Sequence, residues 1–140
     1  MIGPKTPKLS PQDARRAYQL ATKRDAGRCV RCGRTDVTRD HRQNRTAHNT
    51  TAGNLQLLCG TGTTGCHGWK TGHPADAIAE GFAVPGWVPN PAAWPAARWG
   101  HDPATNVYHR RFVLYDDTGG ITTITPAEAD QLSDGLITLD

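Results

Sequence analysis

The chain has 140 residues with 36% apolar content, 10 Pro and 15 Gly, the size of one ordinary domain with a modest core wrapped in many turns. No apolar run approaches the roughly 18 residues of a membrane span, and the opening "MIGPKTPKLSPQ" lacks the apolar centre of a signal peptide, so a soluble, cytoplasmic protein is expected. The net charge of +3 hides a division: residues 1–74 hold 13 Lys and Arg against 4 Asp (+9), and residues 75–140 hold 3 against 9 acids (−6), which makes the amino-terminal half the candidate polyanion face, although a merely soluble surface would carry the same charge.

Taken in chain order, "SPQDARRAYQLATKRD" (10–25) predicts a helix with Ser10 as N-cap, Pro11 at the first helical position and Asp13 in the first turn. Ala14, Ala17, Tyr18 and Ala21 share its apolar face, while Arg15, Arg16, Lys23 and Arg24 fall on the other, open to solvent or phosphate. "VTRDHR" (37–42) has the β-branched content of a short strand, "QNRTAHNTTAG" is a polar loop, and "NLQLLC" from Asn54 packs inward. In "HGWKTGHPADAIAEGF", Pro74 to Ala79 supports a turn or two of helix before Gly81, and a helix near His67 is weakened by Gly68 and Gly72. The Pro/Trp-rich stretch 82–103 reads as an ordered but irregular arm in which Trp87, Trp94 and Trp99 are anchors. "RRFVLYDDTGGITTI" predicts a hairpin turning at "DDTGG", and "TPAE" (125–128) caps a short helix running to about Ser133 before Gly135.

Four cysteines in a reducing compartment point to metal rather than disulfides. Cys29 and Cys32 in "CVRC" have zinc-knuckle spacing, followed by Gly33 where a tight turn lets both sulfurs face one ion. Cys59 and Cys66, in "CGTGTTGCHGWK", would complete a four-cysteine tetrahedron, but their wide spacing and the adjacent His67 leave the ligand set ambiguous. Asp40 and His41 are neighbours on the predicted strand and point to opposite faces. The carboxylate suits a hard divalent cation and the neutral imidazole suits proton transfer, while an exposed turn would account for the dipeptide alone.

The order "CVRCG", "DHR", "NLQLLC", "CHGWK" resembles the HNH endonuclease family, in particular its small phage-encoded members, over roughly Cys29 to Lys70. The resemblance implies an α+β fold with a small ββα-metal (His-Me finger) core over residues 1–80, including the N-terminal helix and zinc knuckle. Residues 81–140 would be a C-terminal extension packed on the same domain. It further implies that His41 is the general base, Asp40 and His67 hold a catalytic Mg²⁺, Mn²⁺ or Ni²⁺, and Asn54 braces the loop and orients His41. His67 is thereby released from the structural Zn²⁺, which takes Cys29, Cys32, Cys59 and Cys66.

The implied activity is DNA phosphodiester hydrolysis leaving 5′-phosphate and 3′-hydroxyl ends. Implied settings are a phage terminase as partner and the host-cell cytoplasm. Arg42, Arg45 and Lys70 are candidate phosphate contacts. The chain departs from the commoner family pattern in lacking a Gly-Gly pair before Asn54, and His48 in that loop reads as a surface residue. A non-enzymatic zinc-ribbon module binding nucleic acid or protein would account for the cysteines and the charge, but not for Asp40, His41, Asn54 and His67 together.

Overall fold

Helix α1 (Pro11–Arg24) starts at Ser10, whose hydroxyl accepts from the Asp13 amide at 3.1 Å while the Asp13 carboxylate accepts from the Ser10 amide at 3.2 Å. This reciprocal cap satisfies two donors that would otherwise be orphaned. The structure, a computed structural model, describes residues 8–102 and 104–138, and its fold is mixed α+β with two small antiparallel sheets. Ala17 and Ala21 are buried against Leu55, with Tyr18 flanking them. None of the helices among the described residues is long and apolar enough to cross a membrane.

Strand β1 (Val37–His41) pairs with β2 (Leu55–Cys59) in a register that sets Asp40 opposite Gln56 and His41 opposite Leu55. All of β2 is buried, since α1 and the next helix both pack on it. That helix, α2 (Gly65–Gly72), is followed by α3 (Pro74–Ala79), which stops at Glu80 before Gly81 at φ +75°. The glycines expected to weaken α2 do not interrupt it. At Gly68 a side chain would meet the Thr63 carbonyl carbon at 2.5 Å, so glycine there permits the close return of the preceding loop.

The second sheet orders β3 (Ala96–Asp102), β4 (Val107–Tyr115) and β5 (Ile121–Ile124). The β4–β5 hairpin turns at the expected place, where the Asp116 carboxylate accepts from the Thr118 hydroxyl and from the Thr118 and Gly120 amides. β3 corrects the expectation of an irregular arm. Beyond Pro95 the chain regains a full set of amide donors and alternates inward Ala96 and Arg98 against Val113 and Arg111 of β4. The preceding proline stretch stays irregular apart from a 3₁₀ turn at Pro91–Ala93, capped by the Asn90 side chain.

Helix α4 (Pro126–Thr138) has the expected Thr125–Glu128 cap but runs past Gly135. A glycine in a helix interior costs only about 1 kcal/mol relative to Ala, and Leu136 beyond it packs against Val84, Val88 and Trp94.

Arg42 overturns the reading of it as a phosphate contact. It is 1% exposed. Nε donates to Gly81 O at 3.0 Å, Nη1 to Gly53 O at 3.0 Å and Pro91 O at 3.2 Å, and Nη2 to Trp94 O at 2.6 Å. Burial pulls its pKa down to about 10, so it remains charged at neutral pH. Arg24 also leaves its expected outer face. It donates to the Asp25 carboxylate at 2.8 Å and to the Ala52 and Leu55 carbonyls, both at 2.7 Å.

Arg42→Met should therefore lower unfolding free energy by more than about 3 kcal/mol, because it strips donors from buried carbonyls. Urea denaturation measures this, with exposed Arg45→Met expected within about 0.5 kcal/mol of wild type. Equal midpoints for the two variants would contradict a structural role for Arg42.

Candidate active site and metal cluster

The ligand atoms of Cys29, Cys32, Cys59 and Cys66 all lie within 4.8 Å of one another, and they form a cluster that could bind a metal such as zinc. Four thiolates about 2.3 Å from one zinc stand about 3.8 Å apart in a tetrahedron, so only a small contraction is needed. The chain presents them from a turn and from a helix end. Gly33 at φ +81° closes the Cys29–Cys32 turn with its amide on Cys29 O at 2.8 Å. Cys59 ends β2, and Cys66 lies in the first turn of α2.

The loop between Cys59 and Cys66 is long because it doubles back. Gly60 (φ +82°) and Gly65 (φ +62°) would place a Cβ 2.2 Å from Thr64 O and 2.5 Å from Cys59 O respectively, and the Thr61 amide donates to the Thr64 hydroxyl at 2.9 Å. Two donors are aimed at sulfur: the Cys66 amide reaches Cys59 Sγ at 3.3 Å, and Arg31 Nη1 reaches Cys66 Sγ at 3.4 Å. Burial pushes the free Cys66 thiol up to about 12, so loading the cluster with metal must release protons.

One residue beyond Cys66, His67 turns to β1. Thr38 and Asp40 are two apart on that strand and share a face. The His67 ring spans them, with Nδ1 at 2.9 Å from Thr38 Oγ1 and Nε2 at 3.3 Å from Asp40 Oδ1. The Thr38 hydroxyl has one proton, which can go to Gly60 O at 3.0 Å or to His67 Nδ1. When the proton goes to Gly60 O, His67 donates from Nδ1 and turns an Nε2 lone pair toward the carboxylate oxygen; when it goes to Nδ1, Nε2–H donates to Asp40 Oδ1. In the first arrangement the two facing acceptors can be bridged by a cation. Asp40 Oδ2 is separately occupied, accepting from Lys70 Nζ at 2.6 Å and Gln56 Nε2 at 2.9 Å.

On the other face of β1, His41 Nε2 lies 2.9 Å from Thr50 Oγ1, and the ring meets Tyr18 edge-on. With Thr50 accepting, Nδ1 carries the lone pair and has no hydrogen-bond partner among the described residues. Burial, then the charge of Arg45, lowers the His41 pKa below its ordinary value, which favours the neutral ring. Asp40, His41, Arg45, His67 and Lys70 line one cleft of about 500 Å³.

Asn54 is buried below this cleft. Its Oδ1 accepts from the Gln43 amide at 2.7 Å, and its Nδ2 donates to Gln43 O at 3.1 Å and Asn49 O at 2.9 Å, tying together the loop that follows His41. Arg45 is exposed on the cleft, and His48 is exposed outside it. Lys70 also lines the cleft, with 15% of its side chain exposed. Its ammonium bonds Asp40 and, at 2.8 Å, His41 O.

Sequence reasoning missed Thr38, Thr50 and Gln56 as partners of the three candidate groups. Gln56 had a visible signal as the polar residue within "LQLLC", since such a residue in a buried strand needs a partner. Comparison with known proteins returns no matching family model, no matching curated protein and no matching solved structure.

Purified protein should carry one zinc per chain. Cys59→Ser should abolish it and unfold the region, whereas His67→Ala should retain it. Metal analysis by mass spectrometry, with circular dichroism, measures both. Zinc absent from wild type, or lost equally in His67→Ala, would contradict a cluster made of sulfur alone.

Proposed function

We propose that the chain is a metal-dependent DNA endonuclease of the HNH type, with β1, β2 and α2 as its ββα-metal core. The observation that carries this reading is the face-to-face pair Asp40 Oδ1 and His67 Nε2, 3.3 Å apart, with Thr38 Oγ1 on the far side of the ring, 2.9 Å from Nδ1, where it can accept the ring proton when a cation takes Nε2. Ligand atoms on adjacent octahedral positions about 2.1 Å from an ion stand about 3.0 Å apart, so both fit one Mg²⁺, Mn²⁺ or Ni²⁺. Bound there, the ion supplies charge neutralisation for the phosphate in the transition state and for the departing 3′ oxygen.

The chain's own groups perform the remaining tasks. His41 Nδ1 accepts the proton of the attacking water in the tautomer whose Nε2–H donates to Thr50 Oγ1, and that bond holds the ring in place. Lys70 and Gln56 hold Asp40 Oδ2, which leaves Oδ1 turned toward His67. Asn54 holds the loop after His41 in place, and Arg45 provides an exposed positive charge at the cleft for the DNA backbone. A phage terminase as working partner rests on the family resemblance alone.

Wild type should nick supercoiled plasmid when Mg²⁺, Mn²⁺ or Ni²⁺ is added. His41→Ala and His67→Ala should each lower the rate about 100-fold or more. Agarose-gel rates measure this. A zinc-loaded wild type that binds DNA yet nicks with none of these ions would instead be the zinc-ribbon binding module.

A further inference from the structure

A second cavity, of about 470 Å³, lies where the end of α1 and the Cys29–Gly33 turn meet the β3–β4 hairpin. It shares no lining residue with the Asp40–His67 cleft. Four guanidinium groups line it (Arg24, Arg28, Arg98 and Arg111) against the single carboxylate of Asp25. Arg24 and Arg98 both pair with Asp25, which also accepts the Leu57 amide, so that carboxylate is fully engaged.

Arg98 and Arg111 are direct cross-strand partners, an arrangement that repels unless negative charge lies between or beside the pair. Arg98 is 7% exposed, and its Nε has no hydrogen-bond partner among the described residues. Arg111 Nη1 is likewise buried and without a hydrogen-bond partner among the described residues, and its Nε donates to the Thr123 hydroxyl at 3.2 Å. Burial, then the charge of Arg98, draws the Arg111 guanidinium below its ordinary pKa. Both residues line the cavity, and a buried cationic donor without a partner is costly.

The cavity mouth is aromatic. Trp99 and Tyr108 lie 5.2 Å apart between ring centroids, and Tyr108 is 62% exposed. Alternation along the strands places these rings on the face opposite Arg98 and Arg111, yet both sets line the same cavity. Gly100, between Trp99 and His101, has no side chain, and Arg111 Nη1 lies 3.7 Å from where a Cβ would stand.

We propose that this cavity binds a nucleotide unit, with its phosphate held by Arg98 and Arg111 and its base against Tyr108 and Trp99. Guanidinium forks suit phosphate oxygens, and base stacking on an aromatic platform tolerates any base. The unit comes either from an unpaired DNA strand or from a free mononucleotide. Binding here does not depend on cleavage at the other cleft.

Fluorescence titration of the zinc-loaded chain, without added catalytic ion, tests this with inorganic phosphate, dTMP and an octamer of thymidylate. Saturable tryptophan quenching is expected with dTMP or the octamer and should be lost in Trp99→Phe. Arg111→Gln and Tyr108→Ala should each weaken binding about tenfold, with Arg111→Lys partly restoring it and with all unfolding midpoints near wild type. An octamer that binds tighter than dTMP supports a strand as the source; equal affinities support the free nucleotide. His67→Ala should keep this quenching whether or not it loses nicking, which separates failure here from failure of the nuclease reading. No saturable quenching, unchanged affinity in Arg111→Gln and Tyr108→Ala, or phosphate binding as tightly as dTMP would overturn the proposal.

Discussion

A charged guanidinium withdrawn from water has to find acceptors, and for Arg42 those acceptors come from three separate parts of the chain. The carbonyls belong to Gly53 before β2, Gly81 after α3, and Pro91 and Trp94 in the proline stretch. Residues 81–95 must therefore fold back over the loop that follows His41. The same region gathers other cations, with the Arg24, Arg42 and Arg98 guanidinium carbons 4.0, 5.2 and 5.7 Å from the Tyr115 ring centre. Asp25 is the buried carboxylate balancing two of them. Such a network is a poor source of net stability against an apolar core but a strong constraint on conformation, since losing any partner leaves a buried charge exposed to no solvent.

That constraint bears directly on the cleft. Arg42 is the next residue after His41, and its backbone amide bonds Asn54 O at 2.7 Å. With the chain clamped there, strand alternation does the rest. Asp40 faces α2, and His41 faces Tyr18 and Thr50. An imidazole and a carboxylate are thus consecutive residues that serve opposite faces of one strand. On α2 the same economy holds for Cys66 and His67, one turned to the sulfur cluster and the other to Asp40.

Features governed by short-range chemistry were legible in the sequence. The Ser10–Asp13 and Thr125–Glu128 caps, the Asp116–Gly120 turn and the convergence of four cysteines all follow from spacing and residue type. The gathering of Asp40 and His67 followed from a motif pattern rather than from any local propensity. What escaped were the arginines. Arg24 and Arg42 look in sequence like the exposed Arg15 and Arg16, because most of their acceptors are backbone carbonyls that carry no residue identity and lie 11 to 52 positions away. Lys70 escaped for a related reason, its ammonium being captured by Asp40 across the sheet–helix interface. β3 was hidden by the prolines before it, which make 85–95 irregular but stop short of Ala96.

The adjacency of Cys66 and His67 in the first turn of α2 also sets how insertions and deletions would be felt. Each helical residue advances the side-chain direction by about 100°. A residue added among Thr61 to Thr63 changes the girth of a loop whose ends are already fixed by sulfur. A residue added between Cys66 and His67 turns the whole remainder of α2 about its axis, swinging His67 and Lys70 together away from Asp40 while leaving every cysteine in place. The sulfur cluster acts as the angular datum of the helix, so the count of residues after Cys66 decides where His67 and Lys70 point.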